Sequence, residues 1–219
     1  MKKRILTAAV LLALCLSGCA GKEEPKAVPE SFADGQSVQE YLLEQNAAYR
    51  ETNANAGNIS ADKRADTASN GQHPYAVVVT CSDSRVPAEH IFNAGIGELF
   101  VIRTAGNVIG DYELGSVEYG AEHLGAKLVV VLGHTNCGAV DAALHGGAHG
   151  YIETITDEIS ACLPENCDPR EAEKLNVKNS IDRILASEMM QELTESGAVS
   201  VAGAIYDIES GEVTFLPAE

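Results

Sequence analysis

Two runs of mostly β-branched residues constrain this chain more than anything else in it: Ala76-Val77-Val78-Val79-Thr80 and Leu128-Val129-Val130-Val131-Leu132. Each is continuous rather than alternating, the pattern of a strand buried on both faces of a parallel sheet. Each leads directly into chemistry-bearing residues, Cys81-Ser82-Asp83-Ser84-Arg85 after the first and Gly133-His134-Thr135-Asn136-Cys137 after the second. A parallel sheet places both stretches at the same carboxyl edge, where open α/β folds gather their sites. Cys81, His134 and Cys137 then face a common point. Two thiols and one imidazole make a Cys₂His set with one position left over, the ligand count of a catalytic rather than a structural zinc. Zinc suits thiolate and imidazole donors and lowers the pKa of a bound water to about 7.

The rest of the chain supplies the elements that such a sheet needs. Leu99 to Arg103 reads as a strand, as do Val199 to Tyr206 and Val213 to Leu216 around the turn Glu209-Ser210-Gly211-Glu212. Leu114, Val117, Ala121 and Leu124 recur at helical spacing over residues 112–124, and Val177, Ile181, Ile184 and Leu185 mark a longer helix. Pro87 to Phe92 suggests a brief helix, and another starts at Gly138, directly after Cys137. Ser37 and Glu40 have capping-box spacing, so a leading helix carrying Val38, Tyr41, Leu42 and Gln45 runs to about Arg50. It needs a surface to lie on, either its own domain or a partner subunit. Residues 52–73 read as loop with room for one helical turn, and within 146–170 Ile152, Ile155 and Ile159 allow a helix. Strands alternating with helices define an α/β fold: a mostly parallel sheet flanked by helices, with an N-terminal helical arm.

The N-terminus reads as an export signal. Lys2, Lys3 and Arg4 precede a short apolar segment from Ile5 to Leu16. Leu16-Ser17-Gly18-Cys19 resembles the lipobox of bacterial lipoproteins, which implies cleavage before Cys19 and lipid on its thiol. An ordinary cleaved signal with an incidental cysteine is the alternative. The expected organisation is a signal peptide over 1–18, a flexible tether over 19–35 and a catalytic domain over 36–219. The protein is then extracytoplasmic, anchored by Cys19 to a bacterial membrane. A net charge of -17 argues against nucleic-acid partners, which require a basic face. Cys162 and Cys167 flank Pro164 and are either a disulfide or two free thiols, because sequence cannot supply their separation.

Cys81-Ser82-Asp83-Ser84-Arg85 and His134-x-x-Cys137 resemble the two signatures of the β-class carbonic anhydrases. The resemblance runs from about Gly71 to Leu144, and more loosely through Gly203-Ala204-Ile205-Tyr206-Asp207 to the end. It implies one Zn²⁺ per chain on Cys81, His134 and Cys137, and reversible hydration of carbon dioxide to bicarbonate by hydroxide on that zinc. It implies that Arg85 holds Asp83 so that the carboxylate orients the nucleophile; in some members this aspartate closes onto the metal at lower pH. Gln72 falls where the family has a substrate-binding glutamine, and the Gly138 N–H could meet a bicarbonate oxygen. Phe100 and Tyr119 match aromatic residues lining the family's narrow pocket, partly across a dimer interface. A homodimer or higher homo-oligomer is therefore expected. Two departures stand out: Thr104-Ala105-Gly106-Asn107 is smaller than the plant-type Asn-Val-Ala-Asn, and the chain has no tryptophan, which the bicarbonate-inhibition pocket of some bacterial relatives uses. Hydrolases of carbonyl sulfide and carbon disulfide share the ligand set and are the alternative enzymes. An exported, non-catalytic zinc-binding lipoprotein is the alternative outside catalysis. His73, His90, His123, His145 and His149 are available as proton carriers, with none singled out.

Overall fold

The computed structural model describes residues 27–217. The expected signal peptide, the lipobox residue Cys19 and the first part of the tether lie outside the described residues. Five strands, β1 (Ala76–Cys81), β2 (Leu99–Thr104), β3 (Leu128–His134), β4 (Ser200–Tyr206) and β5 (Val213–Phe215), form one sheet in the order β2-β1-β3-β4-β5. The first four are parallel, and β5 returns antiparallel to β4. Among the described residues the helices are α1 (Gly35–Thr52), α2 (Ala61–Asn70), α3 (Ala88–Ile91), α4 (Asp111–Glu118), α5 (Gly138–His145), α6 (Tyr151–Ser160), α7 (Pro169–Leu185) and α8 (Glu188–Glu195). None is long and apolar enough to cross a membrane.

Every residue of β1 and β3 is buried, which explains why their apolar runs do not alternate. Val78, Val130, Leu132 and Ala204 pack on one face with Val38 and Leu42 of α1 and Ile91 of α3. Val77, Val79, Val129 and Val131 pack on the other with Val117 of α4, Val177 and Ile184 of α7 and Met190 of α8. Gly133 and Gly203 set the distance to α7: a Cβ there would sit 2.5 and 2.8 Å from the Val177 side chain. Hydrogen at these two positions lets α7 lie directly on β3 and β4.

The leading helix lies on its own sheet, with Val38 and Leu42 fully buried. Its cap differs from the expected Ser37–Glu40 box. Asp34 is the N-cap, its Oδ1 accepting the Ser37 N–H at 2.9 Å while Ser37 Oγ accepts the Asp34 N–H at 3.2 Å. Asp34 takes the extended backbone a cap requires, which moves the helix start two residues toward the N-terminus. Asn46 then ties α1 down: its amide donates to the carbonyls of Ile91 (3.2 Å) and Gly211 (2.9 Å), and its oxygen accepts the Val213 N–H (3.0 Å). Within the stretch expected as tether, Val28 and Phe32 pack against the core, and Phe32 contacts the Tyr41 and Tyr75 rings at 5.3 Å each.

Three local readings are corrected. The stretch 52–73 holds a ten-residue helix, α2, capped by Ser60 and ended by Gly71; it buries no side chain, so no apolar period announced it. The helix expected over 112–124 is α4 followed by a π-helical turn, Tyr119–His123. An additional helix, α8, follows α7 after a Ser187 cap and buries Met190.

Candidate metal centre

Register brings the two chemistry-bearing stretches together. Thr80 of β1 lies opposite Leu132 of β3, so Cys81 ends one strand and His134 ends its neighbour one residue further on. Cys137 is the N-cap of α5. The turn between them needs a left-handed residue, supplied by Asn136 at φ 57°. The ligand atoms of Cys81, His134 and Cys137 all lie within 4.8 Å of one another, and all three residues are buried.

The donor set fits a thiophilic divalent metal. His134 Nδ1 sits 3.0 Å from the Thr135 carbonyl, which assigns the ring proton to Nδ1 and leaves Nε2 as a lone pair. That Nε2 is buried with no hydrogen-bond partner, a costly state unless it binds something. Cys81 Sγ accepts the N–H groups of Gly106 at 3.2 Å and Asp83 at 3.4 Å. The Cys81 thiol is pushed down to about 4, chiefly by a hydrogen bond from the Cys137 thiol, with burial opposing. That bond, together with burial, pushes Cys137 up. The two thiols thus share a hydrogen bond, and a dication held by the set would require both as thiolates.

Beside this set stands the expected dyad. Arg85 grips Asp83 with both arms of its fork, Nε to Oδ1 at 2.9 Å and Nη2 to Oδ2 at 2.7 Å, and its backbone N–H adds a bond to Oδ1. These bonds hold the Asp83 carboxyl well below the usual carboxylate range, so it is ionised. Asp83 Oδ2 is 4.0 Å from His134 Nε2, adjacent to the ligand set while still held by Arg85. Arg103, a residue given no role from sequence, closes the loop from the other side, donating to the carbonyls of Cys81 (3.0 Å) and Asp83 (2.6 Å). A lone arginine at a strand end carries no sequence signal for this.

Gly138 follows Cys137 as the first residue of α5 and is exposed beside the set. Gln72, Phe100 and Tyr119 are not brought to the metal ligands of their own chain. Phe100 lies opposite Val77, four residues before Cys81, or about 13 Å along the sheet at the rise of a strand. Gln72 precedes β1 altogether and is exposed. Tyr119 packs on Phe100 at 5.9 Å and is 46% exposed, so these residues form a surface group toward the amino ends of the strands. Cys162 and Cys167 are free thiols, both half-buried.

An open, mostly parallel α/β sheet carrying a Cys₂His set and a carboxylate–guanidinium pair at its carboxyl edge defines a mononuclear metalloenzyme class. The carbonic anhydrase family model matches residues 76–213. Carbonic anhydrase 2 of Mycobacterium tuberculosis H37Rv is 39% identical over 163 residues, covering 69% of this chain and 78% of that protein. The β-carbonic anhydrase CafA of Aspergillus fumigatus superposes with a TM-score of 0.66 at 28% identity, over 84% of this chain and 91% of that one. One of the tetrameric β-carbonic anhydrases of Sordaria macrospora gives 0.62 at 25% identity, over 83% and 98%. The chain belongs to the β-class carbonic anhydrase family, whose members are zinc enzymes.

Proposed function

We propose that this enzyme hydrates carbon dioxide reversibly to bicarbonate and a proton, with Zn²⁺ held by Cys81, His134 and Cys137. The observation that carries this reading is the buried, unpartnered His134 Nε2 within 4.8 Å of two thiols and beside an Arg85-clamped Asp83. When bound, zinc supplies Lewis acidity, which makes water a competent nucleophile near neutral pH. Asp83 accepts a hydrogen bond from the attacking water and so directs a lone pair at the carbon of the substrate. Arg85 keeps Asp83 in that orientation through its two parallel bonds. The Gly138 N–H, at the start of α5, meets developing negative charge on a substrate oxygen.

The site is completed by a second copy of the chain. Gln72, Phe100 and Tyr119 lie about a strand's length from their own metal set, and Tyr119 exposes a large ring to solvent. Association that places this group over a partner's Asp83 supplies an amide for the substrate and an apolar wall suited to uncharged carbon dioxide. The tetrameric Sordaria macrospora enzymes are relatives that assemble. Anchoring outside the cytoplasm through lipidated Cys19 is supported by the lipobox-like Leu16-Ser17-Gly18-Cys19.

Zinc content and stopped-flow carbon dioxide hydration on the chain from Ala20 onward test the reading. One zinc per chain with fast hydration is the expected result. Zinc without hydration would exclude it and direct assays to carbonyl sulfide and carbon disulfide.

A further inference from the structure

We propose that α7 is the outer scaffold of the metal centre, and that Glu173 positions the Asp83–Arg85 dyad through the backbone of Asn136. The inference rests on the dyad reading given above. α7 carries three buried polar side chains, Glu173, Asn176 and Ser180, exposed by only 5%, 1% and 2%. Spaced three and four residues apart, they share one face of the helix. An unused polar stripe on a packed face would be costly, and each of the three side chains makes at least one hydrogen bond, although Asn176 Oδ1 has no partner.

Glu173 Oε1 accepts the Asn136 N–H at 2.6 Å. Arg170 Nη1 donates to both carboxylate oxygens, at 3.3 and 3.2 Å, and fixes their plane. Asn136 is the left-handed residue of the turn between His134 and Cys137, and its carbonyl accepts Arg85 Nη2 at 3.1 Å. That same nitrogen holds Asp83 Oδ2 at 2.7 Å. The path runs Arg170, Glu173, the N–H of Asn136, the carbonyl on the other side of its Cα, Arg85, Asp83. On the other side of the set, Asn176 Nδ2 donates to the Gly106 carbonyl at 2.7 Å, and Gly106 N–H donates to Cys81 Sγ. Ser180 Oγ donates to the Asn107 carbonyl at 2.9 Å. One helix face therefore grips both loops that flank the ligands.

A helical Arg170–Glu173 ion pair on its own contributes little to stability. Burying Glu173 against a single loop N–H makes sense if that loop must keep one conformation. Without the carboxylate, the Asn136 N–H loses its acceptor, and the left-handed backbone of Asn136 that aims its carbonyl at Arg85 is no longer held from α7. Arg85 then keeps Asp83 but loses the carbonyl that sets its own direction.

The test is a double-mutant cycle on the full enzyme. Glu173→Leu and Arg170→Ala are each made in the wild type and in Arg85→Ala, with rate, zinc retention against a chelator and melting temperature read for all. Glu173→Leu should keep its zinc and lower kcat about tenfold, the scale of outer-shell substitutions. In the Arg85→Ala background it should lower the rate no further, while its fall in melting temperature persists. Should Glu173→Leu fail to fold, Arg170→Ala carries the cycle, since that side chain is half-exposed. A wild-type rate in Glu173→Leu, or an equal loss on top of Arg85→Ala, would overturn the proposal. A wild-type rate in Arg85→Ala would overturn the dyad reading as well, and so is distinct from a slow Arg85→Ala in which Glu173 is inert.

Discussion

At the residue scale, the chemistry is concentrated in side chains whose environments are opposed. Cys81, His134 and Cys137 are buried, whereas Arg85 is half-exposed and reaches inward to Asp83. Cys81→Ser or His134→Ala removes one of three ligands and should abolish both zinc binding and hydration, read by metal analysis and stopped flow. Asp83→Asn should leave zinc in place and reduce kcat roughly 10- to 100-fold, because the amide presents a donor where Arg85 requires an acceptor. Asp83 also makes a signed pH prediction. Its folded pKa is depressed by Arg85, so its contribution to stability is fully present above the ordinary aspartate value of about 4 and is lost as pH falls below it. The stability difference between wild type and Asp83→Asn should be flat through neutrality and shrink only in acid, as urea unfolding at several pH values would show. The Cys81, His134 and Cys137 cluster was legible because zinc chemistry restricts residue type so strongly, whereas the Asp83–Arg85 pair came from the resemblance to the β-class signature. Arg103 and Glu173 were not, since any arginine or glutamate at those positions looks like a solvated charge until the chain is folded.

At the element scale, the close approach of helices to the sheet decides where the loops sit. Gly203→Ala brings a Cβ to 2.8 Å from Val177 and 3.0 Å from Ile181, which forces α7 outward. A loss of about 1–3 kcal/mol is expected, with activity falling as well because the same helix holds both flanking loops. Asn46→Ala leaves the Val213 N–H and the carbonyls of Ile91 and Gly211 without their buried partner. It should cost about 2–3 kcal/mol in urea unfolding. Strands and long helices were legible in the chain because burial on a regular backbone leaves a period. α2 was not, since it buries nothing, and α1 was placed two residues late because Ser37 serves as the partner of a cap at Asp34 rather than as the cap.

At the scale of the whole molecule, one chain holds a metal set and an Asp83–Arg85 pair at the carboxyl edge, with the Phe100–Tyr119 ring pair and Gln72 toward the opposite end of the sheet. If two copies complete each other, specific activity should fall on dilution in step with dissociation, followed by sedimentation and stopped flow on the same samples. Gln72→Ala should lower the rate of the associated form although Gln72 sits beyond the far end of β1 from Cys81. A rate independent of association state would exclude the shared pocket.

The amino-acid sequence alone pointed to the mostly parallel sheet and to the Cys81, His134 and Cys137 cluster, because two buried parallel strands and a Cys₂His set each admit few residue patterns. Only the tertiary structure decided which way α1 packs, that Cys162 and Cys167 are free thiols, and that Gln72, Phe100 and Tyr119 lie away from their own metal ligands. It also decided that Glu173, Asn176 and Ser180 are inner rather than outer residues of α7. The reason is common to all of these. A strand's period and a metal's preferences are local, while the partner of a given N–H or thiol depends on how segments far apart in the chain are brought into register.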